Sequence, residues 1–212
     1  MHIPDGILGA GVCLGGYATA GAAAWWSLRK IGRKANPREG IPKASLLTAA
    51  FLVASWIHIP VPPASVHLVL NGLLGVVLGY YAFPAVLIGL FFQAVMFQHG
   101  GLTTLGVNAT IMGVPAFLAY HLFRLRRIFG KDSLVGTGIF GFLAGAGAVG
   151  LAAAAAFIIL ITTIPAGLDV EAQRASIIAL TLAHVPLMVI EGAFTALVAL
   201  FLHRVKPELL EG

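Results

Sequence analysis

Charged residues are scarce in this chain. Lys and Arg number 13 and Asp and Glu number 8 among 212 residues, so 10% of the chain is charged, whereas a soluble domain carries roughly 25%. Segments 6–28, 44–123 and 133–168 contain no charged residue at all. Because a helix of about 20 apolar residues crosses a bilayer, the sequence predicts an all-α membrane protein with several crossings. The net charge of +5 therefore indicates topology and not binding to nucleic acid.

Cysteine pairs and nucleotide-binding motifs are also missing. The single Cys13 lies in an apolar segment, gives no information on disulfides, and leaves no thiolate pair for a metal. Gly130-Lys131 lacks the upstream glycine and the following Ser or Thr of a phosphate-binding loop, so we expect a protein without its own ATPase and not an enzyme. The first basic residue, Arg29, follows the first apolar segment, and no cleavable signal peptide is expected.

Breaks within the apolar segments divide the chain into seven predicted helices. Proline lacks the amide proton and disfavours helix before itself, so Pro60-Val61-Pro62-Pro63 ends one helix. Turns are predicted at Tyr80–Pro84 and at His99-Gly100-Gly101. The chain is predicted to be one integral membrane domain over 1–212. Its helices are predicted near 7–28, 44–59, 67–81, 84–98, 108–123, 134–162 and 176–203.

The basic residues indicate which helix ends face the cytoplasm. Loops that stay inside carry an excess of Lys and Arg. Segments 29–43, 124–131 and 204–206 hold 12 of the 13 basic residues, and Arg174 is the exception. With seven helices, the N-terminus lies outside and the C-terminus lies in the cytoplasm. Splitting 133–168 into two helices would weaken this bias, so seven crossings of the cytoplasmic membrane fit the charges better.

The most distinctive polar stretch is Met1-His2-Ile3-Pro4-Asp5-Gly6. The Met1 amine, the Met1–His2 amide nitrogen and the His2 imidazole can close two fused chelate rings on one metal ion. Pro4 fixes φ at about −65°, and Gly6 permits a sharp turn into the first helix. Residues 1–6 are therefore a candidate metal-binding segment, provided that Met1 is retained and unblocked. The alternative is that His2 is an ordinary terminal residue.

The predicted topology collects four of the seven histidines on the outer side, namely His2, His58, His67 and His99. Imidazoles within or beside a membrane are rare unless they are paired, hydrated or ligating. A nitrogen-rich set without thiolates suits Ni(II) and Cu(II), which also deprotonate a peptide amide most readily. We select His67, which follows the proline-rich loop, as the fourth ligand. Supporting or additional positions are assigned to Asp5, His58, Asn71, Gln98 and His99.

His184 and Glu191 lie seven residues apart and so roughly on one face of the last helix. An intramembrane carboxylate is a functional candidate by default, yet a role in packing explains this pair equally well. No nucleophile lies near them in the sequence, which disfavours an intramembrane enzyme.

Met1-His2-Ile3-Pro4-Asp5-Gly6-Ile7-Leu8 resembles the N-terminal signature of the NikM/CbiM family. The resemblance extends over the chain in size, in helix number and in the Pro-Pro-Ala-Ser-Val-His67 segment. Members of this family are substrate-capture (S) components of energy-coupling factor (ECF) transporters for nickel and cobalt. The resemblance implies a six-helix core with one extra N-terminal helix. It also implies that Met1, His2 and His67 hold the transported Ni(II) or Co(II).

Partners are implied by the same resemblance. A membrane coupling (T) subunit and paired cytoplasmic ATPase (A) subunits would supply energy, with or without a small accessory membrane subunit. A small-xxx-small motif on the first core helix docks the coupling subunit in similar S components, and Ala50 and Ala54 fit it. We therefore expect Ni(II) capture, with Co(II) capture for cobalamin synthesis as the first alternative. An ion-coupled secondary permease is the second, although its H-x-x-x-x-D-H motif is missing.

Overall fold

The computed structural model describes residues 2–61, 64–130, 132–165 and 169–210. Within these ranges the chain forms seven α-helices and one two-stranded sheet. In chain order the elements are α1 (Ala10–Ile31), α2 (Ile41–Ala54), β1 (His58–Val61), β2 (Ala64–His67), α3 (Asn71–Leu78), α4 (Ala82–Phe97), α5 (Leu105–Arg124), α6 (Leu134–Thr162) and α7 (Val170–Val205).

Four helical stretches are long and apolar enough to cross a membrane. They are Asn71–Phe97, Leu105–Phe129, Leu134–Thr162 and Val170–Val205. Several such stretches in one chain make this a multi-pass membrane protein.

The first of these stretches, Asn71–Phe97, consists of two antiparallel legs. His67 precedes it and His99 follows it, and both lie against His2 with ring centroids 4.9 and 4.2 Å away. The two ends of a stretch of 27 residues therefore meet at one place. A straight helix of that length would separate its ends by about 40 Å, so α3 and α4 form a hairpin.

The reversal between α3 and α4 lies at Gly79–Tyr81, beside the predicted turn at Tyr80–Pro84. Gly79 has φ +58, a conformation that glycine adopts without a steric penalty. The Tyr80 ring packs on Trp26 near the C-terminal end of α1, with centroids 5.2 Å apart. Because His2 shortly precedes the start of α1, this turn lies at the opposite end of the bundle from His2.

Helix α5 is the centre of the bundle and packs against α1, α3, α4 and α6. Glycines permit the closest approaches. A Cβ on Gly106 would lie 2.4 Å from the backbone nitrogen of Tyr17, and one on Gly75 would lie 2.1 Å from the carbonyl oxygen of Ala116. Such small-residue contacts are how helices associate closely in membranes. Helices α6 and α7 pair along their length in the same way, with Gly145 against the backbone of Glu191.

The basic segments gather at the end of the bundle opposite His2. The Tyr81 hydroxyl donates to the Pro37 carbonyl at 2.6 Å, and Lys43 Nζ donates to the Leu209 carbonyl at 3.2 Å. The loop before α2, the turn after α3 and the end of the chain that the structure describes therefore meet. Arg174, at the start of α7, lies at the other end. The charge distribution in the sequence predicts the same separation of Arg174 from the other basic residues.

The all-α prediction needs one correction, because residues 58–61 and 64–67 form an antiparallel β-hairpin in which His58 pairs with His67. Pro60 has no amide proton to donate to a helix, and the β-branched residues of both segments favour extended backbone. Strand pairing supplies hydrogen bonds that a helix broken by prolines would lose. His67 consequently ends a strand, whereas the sequence predicted that it opens a helix.

Other helix boundaries shift for local reasons. The helix predicted over 44–59 ends at Ala54, and the one predicted over 67–81 begins at Asn71. The last helix begins at Val170, before the predicted 176, because the Asp169 carboxylate caps it by accepting the N–H groups of residues 171 and 172. Helix α6 has the predicted bounds of 134–162.

Candidate metal centre

Ile3 lies inside the helical bundle and His2 is half-buried beside it, whereas Pro4 to Ile7 are exposed. Ile3 is 2% exposed. Its N–H donates to Asn108 Oδ1 at 2.9 Å, and its carbonyl accepts from Asn108 Nδ2 at 3.0 Å and from the Thr104 hydroxyl at 2.6 Å. The side chain of Asn108 thus pairs with Ile3 much as a neighbouring β-strand would. Since buried backbone groups need such partners, α5 fixes the segment and, with it, the preceding His2.

Asp5 fastens the same segment nearer the surface. Its carboxylate accepts the N–H groups of Leu102 at 3.1 Å and Thr103 at 2.8 Å, and also the Thr103 hydroxyl. These hydrogen bonds, the Thr103 hydroxyl foremost, lower the pKa of the Asp5 carboxyl. Gly101 makes the contact possible, because a Cβ there would lie 2.0 Å from Asp5 Oδ1. Asp5 therefore supports the site through the backbone.

Three imidazoles converge where this segment enters the bundle. His2, His67 and His99 each offer a ligand nitrogen, and these nitrogens all lie within 4.8 Å of one another. His2 Nδ1 is 3.1 Å from His67 Nε2. The His99 ring stands edge-on to both, with centroids 4.2 Å from His2 and 5.0 Å from His67. The structure thus brings two predicted ligands together and adds His99, predicted as a supporting residue, beside them.

Hydrogen-bond partners assign the tautomers of His2 and His67. His67 Nδ1 lies 2.9 Å from the Leu68 carbonyl, so it carries the proton and leaves Nε2 with a lone pair. His2 Nε2 lies 2.7 Å from Gln93 Oε1; with this oxygen as the acceptor, Nε2 carries the proton and Nδ1 keeps a lone pair. Two lone pairs consequently face each other across 3.1 Å. Metal–nitrogen bonds of about 2.0–2.1 Å place adjacent ligands about 3 Å apart, so the geometry suits one shared cation.

Burial keeps these imidazoles neutral. Burial lowers the pKa of His67 to about 3, and it also lowers the pKa values of His2 and His99 below 6.5. A neutral imidazole is the form that binds a metal ion. No proton therefore competes for the ring lone pairs at pH 7.

Two of the predicted supporting residues lie at the rim of the cluster. His58 is exposed, with its ring 6.0 Å from His67 and 6.5 Å from His99. Gln98 is exposed and ends α4 with φ +52, which directs the chain into His99. Gln98 and Leu70 are the non-glycine residues with positive φ in the described ranges, and both flank the histidines. Strained backbone of this kind clusters at functional sites.

The predicted Asn71 is fully buried but lies away from the imidazoles. Its Nδ2 donates to the carbonyls of Met112 at 3.2 Å and Ala148 at 3.3 Å, which ties α3 to α5 and α6. Met1, whose amine is a predicted ligand, lies outside the described residues, as do Pro62 and Pro63.

Ala50 and Ala54, the residues on α2 that were predicted to dock a coupling subunit, do not form an exposed stripe. Ala54 is 6% exposed and belongs to the core, and Ala50 is half-buried. The exposed small residues at the same spacing on this helix are Ser45 and Ala49.

Three residues of the site were not assigned from the sequence: Gln93, Thr104 and Asn108. Gln93 is the one polar residue in the apolar run 84–97, and that isolation is a signal of function in a membrane. Thr104 and Asn108 are spaced by four residues at the start of α5, which places both on one face. Their partner, the backbone of Ile3, is not identifiable without the fold.

His184 and Glu191 are both buried on α7 but have separate surroundings. His184 Nδ1 donates to the Leu180 carbonyl at 2.7 Å, and its ring lines a largely apolar cavity of about 250 Å³ that also borders His2. Glu191 bonds instead to the backbone at Val69 and Leu70. They do not form the pair that an intramembrane enzyme would need.

A family model described as the cobalt uptake substrate-specific transmembrane region (CbiM) matches residues 2–209. This chain belongs to the CbiM family. It is 35% identical to a protein of Haemophilus influenzae that is provisionally named a metal transport protein, over 99% of this chain and 97% of that one. It is 30% identical to the cobalt transport protein CbiM of Sorangium cellulosum, over 100% and 95% of the two chains.

A fused nickel transport protein, NikMN, of Rhodobacter capsulatus is 34% identical to 54% of this chain, a match that spans 33% of that protein. Relatives within the family thus bear both cobalt and nickel names. The fold is that of a solved truncated transition metal transporter, with a TM-score of 0.76 at 23% identity over 97% of this chain and 99% of that one.

Proposed function

We propose that this protein captures Ni(II) on the outer side of the cytoplasmic membrane as the substrate-binding subunit of an ATP-driven ECF transporter. The observation that carries the proposal is the approach of His2 Nδ1 to His67 Nε2 at 3.1 Å, in a cluster where His99 offers a third ligand nitrogen within 4.8 Å. The cobalt and nickel names of the relatives support a transition metal ion as the substrate.

The proposed ligands are the Met1 amine, the His2 amide nitrogen, His2 Nδ1 and His67 Nε2. Using Nδ1 of His2 closes a six-membered chelate ring with the His2 amide nitrogen, and the tautomer assigned to His2 leaves that atom free. Four nitrogens of this kind form a square, the geometry that Ni(II) favours. Gln93 and Leu68 hold the two rings by their other nitrogens, as the partners of metal-bound histidines do in general.

We assign the supply of energy and the release of the ion to partner subunits. A membrane T subunit and cytoplasmic A subunits would drive reorientation of the whole protein, with a small accessory membrane subunit as a further candidate. The gathering of the 29–43 and 204–206 segments at one end of the bundle favours a cytoplasmic location for that end. On α2, the exposed Ser45 and Ala49 now fit the docking role better than Ala50 and Ala54.

Removal of one imidazole tests the capture site. We expect His67→Ala to weaken Ni(II) binding by more than about 100-fold, because one of four ligands and the lone pair opposite His2 are lost. The matched control is His58→Ala, which removes an exposed histidine and should keep the affinity within a few-fold. Calorimetric titration of the purified proteins at pH 7 measures both. Equal affinities in the wild type and His67→Ala would refute the site.

Co(II) is the second candidate, and His99 is the observation that favours it. Its ring nitrogens lie close enough to add a fifth ligand, and Co(II) accepts more ligands than square-planar Ni(II). Magnetic and optical spectra of the loaded protein decide between the ions. A yellow, diamagnetic nickel complex supports nickel capture. Binding of Co(II) in preference to Ni(II), in a paramagnetic complex that changes in His99→Ala, supports cobalt.

A further inference from the structure

The backbone N–H groups of Val69 and Leu70, which follow His67, need hydrogen-bond partners from outside their own segment. Residues 68–70 belong to no helix or strand, and Leu70 has φ +53. Helix α3 begins directly afterwards without a side-chain cap from its own N-cap residue. Val69 and Leu70 are 1% and 6% exposed, so water does not solvate this turn. Unpaired N–H groups at such a buried helix start are unfavourable.

Glu191 supplies the missing partners from another helix. The residue is fully buried on α7, and its two carboxylate oxygens accept different N–H groups, Oε1 from Val69 and Oε2 from Leu70 at 2.8 Å. The carboxylate thus lies at the N-terminus of α3, where the helix dipole favours negative charge. Its position is fixed in turn, since the Glu191 carbonyl packs against Gly145 of α6.

The same short segment orients the His67 ring. The Leu68 carbonyl accepts from His67 Nδ1, and the next two peptide N–H groups are those that Glu191 holds. A rotation of this segment would move the Leu68 carbonyl and with it the direction of the Nε2 lone pair. The backbone between His67 and α3 is thereby connected to α7 through one carboxylate.

We propose that Glu191 is a positioning residue for the ion site, which fixes the direction of the His67 lone pair through the backbone of Val69 and Leu70. The inference rests on the proposed function. Glu191 does not touch the ion. Its contribution is the preorganisation of a ligand, and residues that orient metal ligands change affinity by about 10–100-fold when they are replaced.

Two substitutions disturb the hydrogen bonds of Glu191 in different ways. Glu191→Gln keeps the length but leaves one acceptor oxygen, and Glu191→Asp keeps the carboxyl group but is shorter by one methylene. We expect both to bind Ni(II) at least tenfold more weakly than the wild type, with a shifted ligand-field absorption band. The matched control is Glu171→Gln, which changes an exposed carboxylate on the same helix and should leave affinity and spectrum unchanged.

Calorimetry, absorption spectra and the metal-free melting temperature of the full chain in detergent give the outcome. A purely structural Glu191 would lower the melting temperature but leave the affinity and spectrum of the folded protein unchanged, which would overturn the positioning role. Failure of both variants to fold would overturn it as well. If the wild type itself does not bind Ni(II), the proposed function fails, a result distinct from equal binding in the wild type and the two variants.

Discussion

At the scale of single residues, the site depends on which nitrogen of each imidazole carries the proton. Gln93 and the Leu68 carbonyl hold the protonated nitrogens of His2 and His67, so both lone pairs point at the same place. In the proposed complex, one cation would accept both lone pairs.

Stability is expected to depend on pH through the buried imidazoles. Burial lowers the pKa of His67 from 6.5 to about 3, so the unfolded chain binds more protons than the folded chain between these values. The contribution of His67 is complete above pH 6.5 and is lost as the pH falls, by up to about 1.4 kcal/mol per pH unit. The Asp5 carboxyl, with a pKa lowered from 3.8, changes stability only in more acidic solution.

Melting temperatures of the metal-free protein between pH 7 and 5, followed by circular dichroism, measure this dependence. We expect the wild type to lose stability as the pH falls and His67→Gln to lose less. Identical slopes for the two proteins would contradict a neutral, buried His67.

Much of the site was predictable from residues alone. His2 and His67 were selected because of chelate chemistry and topology, and both lie in the cluster. Glu191 was a candidate as an intramembrane carboxylate, but its proposed role was not predictable, because it depends on two backbone N–H groups more than 120 residues away in the chain. Polar side chains that bond to distant backbone leave no spacing pattern in a sequence.

At the scale of elements, the segment of residues 2–5 behaves as an inserted strand held by side chains. Asn108 and Thr104 bind it at its buried end, and Asp5 binds the loop before α5. The paired strands β1 and β2 place His67 against His2. The sequence predicted helix up to residue 59 and from residue 67, but prolines and β-branched residues favour pairing between strands here. Which strands pair is set by the tertiary fold and was therefore not predictable.

Gly101→Ala tests how closely the inserted segment must approach its loop. The new Cβ would lie 2.0 Å from Asp5 Oδ1, and overpacking of this kind costs about 1–3 kcal/mol. We expect a lower melting temperature and weaker Ni(II) binding, because the displaced Asp5 moves His2.

Gly11→Ala is the matched control for this substitution, since a Cβ on Gly11 meets nothing within 4 Å. It should leave the affinity unchanged and should not lower the melting temperature, since Ala favours helix more than Gly does. If Gly101→Ala behaves like this control, the segment is not held as described.

At the scale of the whole molecule, the two ends of the bundle differ in charge. Eleven of the twelve Lys and Arg residues in the described ranges lie toward the end where Lys43 meets Leu209, and Arg174 lies at the other. Charge therefore predicted which loops meet. The charges did not predict that α3 is only eight residues long. Residues 68–70, which precede α3 and follow His67, are held outside the helix by contacts with α7.

Accessibility of introduced thiols tests the orientation in the membrane. In a Cys13→Ala background, we expect Glu171→Cys to react with an impermeant maleimide added to intact cells and Lys206→Cys to react only after permeabilisation. Labelling is measured by the mass shift of the purified protein. The reverse pattern would place the histidine cluster on the cytoplasmic side and contradict capture from outside.

The buried position of Ile3 has a consequence for biogenesis. His2 and Ile3 leave the ribosome long before their partners, since Asn108 follows Ile3 by 105 residues. They have no place to bind until α5 is inserted beside α1, and the segment after His67 is held only once α7 brings Glu191 to it. These contacts predict that the site is assembled only after α7 has been inserted. Because the proposed ligands include the Met1 amine, we expect a tag or a retained formyl group ahead of His2 to weaken ion binding without loss of the helices.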